Sequence, residues 1–191
     1  MLLDSIVGDV VSDRTLSHVG TWEVAVWVQR ETFGFKSVLD FGSGLGAYTR
    51  VALCDVRDGI EAYEPYVMEA KSDPANAGCR FFLGDMRGWS SIVDRDYDLA
   101  MFVDTLEHLP KADAFGLIEE CKAKFSKILL YLPLGVHLQG PCDGNELQSH
   151  LSYWNQLDVV DMDFEGKMFK VNPNDKSEIP LLGSFLTWEK R

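Results

Sequence analysis

Short unbroken apolar runs mark the strands of this chain. Leu99 to Val103 (LAMFV) and Lys127 to Leu132 (KILLYL) have almost no polar position, as strands buried on both faces require. Ser37 to Phe41, Gly59 to Tyr63 and Arg80 to Leu83 predict three more strands. Between these runs the apolar residues take helical spacing. Thr21 to Phe33 (TWEVAVWVQRETF) predicts a helix with Thr21 at its N-cap and Gly34 ending it. Leu45 to Cys54 and Tyr66 to Ser72 predict two further helices, with the turn residues Asp73, Pro74, Asn76 and Gly78 after the second. Ala112 to Phe125 predicts another, its apolar stripe formed by Phe115, Ile118 and Phe125 and its charges, Glu119, Glu120, Lys122 and Lys124, mostly outside that stripe. Such alternation implies a parallel sheet covered by helices on both faces.

After the fifth strand the pattern changes. Gly166 to Val171 and Ser184 to Trp188 read as two strands joined by a polar turn with no helix between them. That predicts an antiparallel hairpin at one side of the sheet. Gly135 to Tyr153 is long and irregular, with Gly140, Pro141 and Gly144. Loops of that length in compact domains tend to be lids or binding loops. No repeat or linker divides the chain, so residues 1–191 are expected to form one domain, with 1–35 as an N-terminal helical segment and 135–153 as a lid.

Composition narrows the possible partners. The chain has 191 residues, 46% of them hydrophobic, enough for a core without metals or staples. Its net charge of −12 repels phosphate backbones and makes nucleic acid an unfavoured partner, although a local basic groove can hide inside a negative total. The cysteines Cys54, Cys79, Cys121 and Cys142 form no CxxC pair. The first residues, MLLDSIVGDVVSD, carry acids and no basic region ahead of an apolar run, which does not read as a targeting segment. No apolar run is long enough to span a bilayer. A cytoplasmic protein without a disulfide framework is the expectation; oligomeric state is left open.

The strongest chemical signal is Val38-Leu39-Asp40-Phe41-Gly42-Ser43-Gly44-Leu45-Gly46, a glycine-rich turn after a strand. Glycines there let the backbone pass close to a ligand. Gly42, Gly44 and Ala47 fit a dinucleotide fingerprint, which would make the chain an NAD-dependent oxidoreductase. Asp40 argues the other way. An acid two residues before the first glycine repels a pyrophosphate and attracts an amino or sulfonium group.

VLDFGSGLG resembles the first motif of the class I S-adenosylmethionine-dependent methyltransferases. The resemblance implies that Asp40 and the backbone of Gly42, Ser43, Gly44 and Gly46 hold the methionine end of S-adenosylmethionine. Three further segments fall in the family's order. In Ile60-Glu61-Ala62-Tyr63-Glu64-Pro65 an acid closes the second strand and accepts the ribose hydroxyls. Glu64 is the choice because Pro65 follows it, with Glu61 the alternative if the strand ends earlier. Phe82-Leu83-Gly84-Asp85-Met86 supplies Asp85 for the adenine amino group and Met86 or a neighbour for the ring. Asp104-Thr105-Leu106-Glu107-His108-Leu109 resembles the segment D-x-LEHL after the family's fourth strand, and places Asp104 at the cofactor too. The resemblance also implies a three-layer Rossmann-like α/β sandwich with a seven-stranded mixed sheet in the order 3-2-1-4-5-7-6. Further on, Pro133-Leu134-Gly135, Gln139, Gly144-Asn145, Gln148, His150, Ser152 and Trp154 are similar to a segment of a bacterial and phage methyltransferase subgroup, which usually has another residue at Leu134.

Methyl transfer from a sulfonium is an in-line displacement that needs a positioned acceptor and sometimes a base. Asp104, Glu107 and His108 follow the fourth strand, at the end of the sheet where ligands bind. His108 is the candidate general base, with Glu107 and Asp104 beside it; the bland reading makes Glu107 and His108 the start of the next helix. Gln139, Asn145 and His150 are the candidate substrate contacts from the lid, or else braces within it. A metal held by Asp104, Glu107, His108, His137 and His150 is set aside, because no HxxxH or HxH spacing supports one. No Asn/Asp-Pro-Pro-Tyr/Phe tetrapeptide follows the fourth strand, which further disfavours nucleic-acid acceptors. The resulting expectation is methyl transfer to an oxygen or nitrogen of a small molecule. A non-methylating enzyme or a non-catalytic binding protein of the same fold is the alternative.

Overall fold

The computed structural model describes residues 21–142, 144–170 and 182–190. Its centre is set by strands with no exposed face. β1 (Ser37–Phe41) and β4 (Leu99–Val103) are buried at every position, as is β5 (Lys127–Leu134). Each fully buried Leu, Ile or Phe in such a strand contributes about 1.5–3 kcal/mol relative to exposure. With β2 (Val56–Glu61), β3 (Cys79–Leu83), β6 (Glu165–Lys170) and β7 (Leu182–Glu189) they form one mixed sheet in the order β3-β2-β1-β4-β5-β7-β6. The flanking helices are α1 (Thr21–Thr32), α2 (Glu64–Ser72), α3 (Lys111–Lys124) and α4 (Gln156–Asp161). By Cα packing the chain divides into two compact units, residues 1–101 and 102–191, with the boundary inside β4.

In the first unit β1, β2 and β3 are parallel, and Asp40 stands opposite Gly59 in the β1–β2 ladder. The second strand begins and ends earlier than Gly59 to Tyr63. Its last residue, Glu61, folds its carboxylate back onto the Tyr63 N–H at 2.7 Å and turns the chain. The helix expected over Leu45 to Cys54 is absent; that segment is a series of turns. One local bond of helical type remains, Arg50 N–H to the Gly46 carbonyl at 3.1 Å, while side chains from outside the segment take other backbone groups. Leu53 N–H donates to Thr32 Oγ1 at 2.8 Å, and Arg57 Nη1 donates to the Arg50 carbonyl at 2.8 Å. Tertiary bonding thereby outcompetes the local ladder.

In the second unit the hairpin is antiparallel as expected. β7 pairs with β5 along eight residues and with β6 along six. The polar turn between the hairpin strands lies outside the described residues, as do residues 1–20 of the N-terminal segment. α4 was not anticipated. A capping box starts it: Asn155 Oδ1 accepts from Leu157 N–H and Asp158 N–H, and Asp158 accepts from Asn155 N–H. Trp154, beside this cap, is buried against Phe115 of α3 and beneath Lys111 Nζ. Among the described residues no helix is long and apolar enough to cross a membrane.

Candidate functional site

At the carboxyl end of β1 the chain makes three left-handed steps, Gly42 (φ 70°), Gly44 (φ 52°) and Gly46 (φ 83°). A side chain at Gly46 would place its Cβ 2.5 Å from the Phe81 ring, so that position needs glycine on two counts. The turn is tied to β2: Gly42 N–H and Ser43 N–H both donate to the Ile60 carbonyl, at 2.8 and 3.0 Å. Gly59 carries no side chain because Ser43 occupies that space. Two acids border the turn. Asp40 is 2% exposed and accepts from Thr49 Oγ1 at 2.6 Å. Burial pushes its carboxyl up to about 7, against the Thr49 hydrogen bond and with help from the Glu61 charge. Glu61 is buried too and accepts from Gly44 N–H at 3.0 Å as well as from Tyr63. Burial raises its carboxyl above the ordinary range, and these backbone bonds oppose the rise.

Glu64 does not close β2. It is the first residue of α2, exposed, where an acid favours the helix N-terminus. The acid that closes the strand is Glu61. Asp85 follows β3 as expected and caps the short turn that Met86 opens, accepting from Arg87 N–H at 2.9 Å. The Arg87 guanidinium also covers its carboxylate, at 2.5 and 3.0 Å, and holds the carboxyl below the ordinary range. Met86 is half-buried beside it. Sequence reasoning missed Thr49, which the structure brings onto Asp40; a hydroxyl nine residues after the acid carries no recognisable signal.

After β4, Asp104 takes a left-handed conformation (φ 48°) with its N–H on the Tyr131 carbonyl at 3.2 Å. Non-glycine residues rarely adopt that conformation, and it turns the chain sharply. Leu106–His108 then form a single tight turn. Glu107 is 2% exposed and its Oε2 has no hydrogen-bond partner among the described residues. Burial, with the Asp104 charge in addition, raises its carboxyl well above the ordinary range. The Glu107 carbonyl accepts from Leu151 N–H (2.8 Å) and Ser152 N–H (3.0 Å), which anchors the end of the long loop. His150 is thereby set against His108, their rings 5.0 Å apart and 71° inclined. One ligand atom from each of Glu107, His108 and His150 lies within 4.8 Å of the others. The spacing rule that set a metal aside did not foresee this, since the loop and not a helix unites the two imidazoles.

The three loop residues expected to face substrate also bond within the loop. Gln139 Nε2 donates to the Gln148 carbonyl at 2.8 Å. Asn145 is 1% exposed and caps the turn Glu146–Gln148 through Leu147 N–H at 3.0 Å. His150 Nδ1 faces the His137 carbonyl at 2.8 Å, and His137 Nε2 the Leu134 carbonyl at 3.1 Å. His150 reaches the turn after β4 through its ring contact with His108.

No family model and no curated protein matches the sequence. Solved structures do. The chain is similar to the PH0226 protein from Pyrococcus horikoshii OT3 at TM-score 0.66 and 16% identity, over 96% of this chain and 94% of that one. It is similar to the plantazolicin methyltransferase BpumL in complex with SAH at TM-score 0.62 and 16% identity, over 98% and 90% of the two chains. The N-terminal domain of EvdMO1 with SAH bound aligns at TM-score 0.65 and 12% identity, over 96% and 84%. With the strand order above, these likenesses establish the class I methyltransferase fold.

Proposed function

We propose that the chain binds S-adenosylmethionine and transfers its methyl group to an oxygen or nitrogen of a small molecule. The observation that carries this reading is the pair of buried acids, Asp40 and Glu61, around a left-handed glycine turn at the carboxyl ends of two adjacent parallel strands. The turn fits the cofactor: its backbone at Gly44 has open space in front of it, where a Cβ would meet no protein atom within 4 Å. Asp40 faces the methionine end, where a carboxylate attracts an ammonium or sulfonium cation and would repel a pyrophosphate. Glu61 accepts the ribose hydroxyls, Asp85 the adenine amino group, and Met86 lies along the ring. S-adenosylmethionine supplies an activated methyl; the chain supplies position. Asp104 and His108 follow β4, and in the metal-free protein His108 is the candidate base for the acceptor proton. The net charge of −12 favours a small acceptor over nucleic acid. Four thiols free of disulfides suit the cytoplasm.

Calorimetry with S-adenosylhomocysteine tests the cofactor half. Wild-type protein is expected to bind, Asp40→Ala and Glu61→Gln to bind at least about tenfold more weakly, and Glu64→Gln to match wild type. Binding of NADH without any response to S-adenosylhomocysteine would overturn the assignment. Transfer of labelled methyl into metabolite, peptide and RNA pools then identifies the acceptor class. Label in RNA alone would refute the small-molecule reading, and no label in any pool despite cofactor binding would favour a non-catalytic binding protein.

A further inference from the structure

We propose that Glu107, His108 and His150 form a binding site for one divalent transition-metal ion of the zinc class. The three donors converge within 4.8 Å from two separate stretches of chain. Donors around a tetrahedral zinc stand roughly 3.4 Å apart, from bonds near 2.1 Å, so side-chain adjustments on the order of 1 Å close the cluster. The site lies wholly within residues 102–191 and stands without the methyl-transfer reading.

Each of the two imidazoles is held through Nδ1 by a backbone carbonyl. His108 Nδ1 lies 3.2 Å from the Ser149 carbonyl and His150 Nδ1 lies 2.8 Å from the His137 carbonyl. A carbonyl only accepts, so each Nδ1 carries the proton and each Nε2 the lone pair. A ring hydrogen bond to a backbone carbonyl is what fixes the orientation of metal-binding histidines in general. Glu107 supplies the charge. Its Oε2 is buried without a partner among the described residues, a costly position for a carboxylate unless a cation meets it. The frame is held from behind: the Glu107 carbonyl takes the N–H groups of Leu151 and Ser152, and Trp154 Nε1 donates to Ser152 Oγ at 3.0 Å. Two nitrogens and one oxygen suit zinc, cobalt or iron(II) better than magnesium or calcium, which prefer all-oxygen shells. Three protein ligands leave a coordination position open for an oxygen of water or of a small acceptor.

Cobalt(II) titration of the chelator-stripped full chain tests the site through its visible d–d bands. Wild type is expected to take up about one equivalent with a dissociation constant of roughly 1 μM or tighter, displaced by zinc. Glu107→Gln and His150→Gln are expected to weaken cobalt at least roughly a hundredfold, and His137→Ala to change it little. Circular dichroism verifies that each variant is folded, and His108→Ala replaces any that is not. A wild type that takes up no cobalt, or folded variants that bind it as tightly as wild type does, would overturn the proposal. Calorimetry of the stripped protein with S-adenosylhomocysteine separates the two readings: cofactor binding without cobalt uptake removes the metal alone, and cobalt uptake without cofactor binding removes the methyltransferase reading alone.

Discussion

Each unit of the protein buries acids near strand ends, and the two treat them differently. In the first unit every such carboxylate has partners. Asp58 meets Arg80 Nη2 at 2.6 Å and the Tyr97 hydroxyl at 2.6 Å; Asp40 meets Thr49; Glu61 meets two backbone N–H groups. In the second unit Glu107 keeps one oxygen without a partner among the described residues, facing two imidazoles. A satisfied buried acid holds structure together, whereas an unsatisfied one costs stability and is kept for what it binds. The glycine turn is thus a finished frame, and the turn after β4 is a site completed by its ligand.

The largest expected effect breaks this contrast directly. Asp58→Ala strips the buried partner from Arg80 and Tyr97, and is expected to cost on the order of 3 kcal/mol in urea unfolding. Arg80 keeps Asp94 at 2.9 Å, which limits the loss. Glu107→Gln in metal-free protein is expected to stay within about 1 kcal/mol of wild type, because its Oε2 has no hydrogen-bond partner among the described residues to lose and the amide keeps the same shape. Equal losses in the two variants would erase the distinction between the regions.

A second expectation concerns pH. The Asp40 carboxyl in the cofactor-free fold sits at about 7 against an ordinary 3.8. The folded state therefore holds the proton where the unfolded chain has released it. Stability from this group is full below the unfolded value and falls as pH rises toward about 7, by at most about 1.4 kcal/mol per pH unit. The raised Glu61 carboxyl acts in the same direction, and Thr49 opposes it. Urea unfolding at pH 5 and pH 7.5 is expected to show a steeper decline for wild type than for Asp40→Asn. Binding of the cationic cofactor favours ionised Asp40, so between these pH values it is expected to release a proton. Calorimetry in buffers of different ionisation enthalpy counts that proton, and an unchanged count in Asp40→Asn would remove Asp40 from the cofactor.

The same contrast explains what the sequence disclosed. Leu99 to Val103 was legible to the residue, because a strand covered on both faces must be apolar throughout. The glycine turn after β1 was legible because a left-handed turn is local, and the strand order followed from the family resemblance. Leu45 to Cys54 misled because its helical spacing was real, but side chains outside the segment, Thr32 and Arg57, took backbone groups of Leu53 and Arg50. Glu64 opens α2 and Glu61 ends β2, the alternative kept for an earlier strand end, because Pro65 fits a helix start as well as it fits a strand-end motif. His108 and His150 were read singly. Their meeting depends on a loop that carries the chain from His108 to the Ser149 carbonyl, 41 residues on, and no spacing rule encodes that path.

The smallest expected effect lies on the helix that the apolar pattern hid. Six residues cannot sustain a helix in water by themselves, so α4 depends on its cap and on tertiary contacts. Asn155 Oδ1 satisfies two N–H groups at the first turn, while Asp158 both answers the Asn155 N–H and holds Lys111 Nζ at 2.7 Å. Asn155→Ala removes the first half of this arrangement and leaves the second. A loss of about 1 kcal/mol is expected, with Asn155→Ser recovering most of it. Hydrogen exchange should locate the loss at the amides of Leu157 and Asp158, because those donors lose their acceptor, while Val159 keeps its bond to the Asn155 carbonyl at 3.3 Å. Because Trp154 is packed against Phe115 independently of the cap, the wall behind His150 should stay closed and cobalt uptake should be unchanged. Weakened cobalt binding in Asn155→Ala would mean that the cap and the metal site form one cooperative element, and that the second unit is less modular than its hydrogen bonds imply.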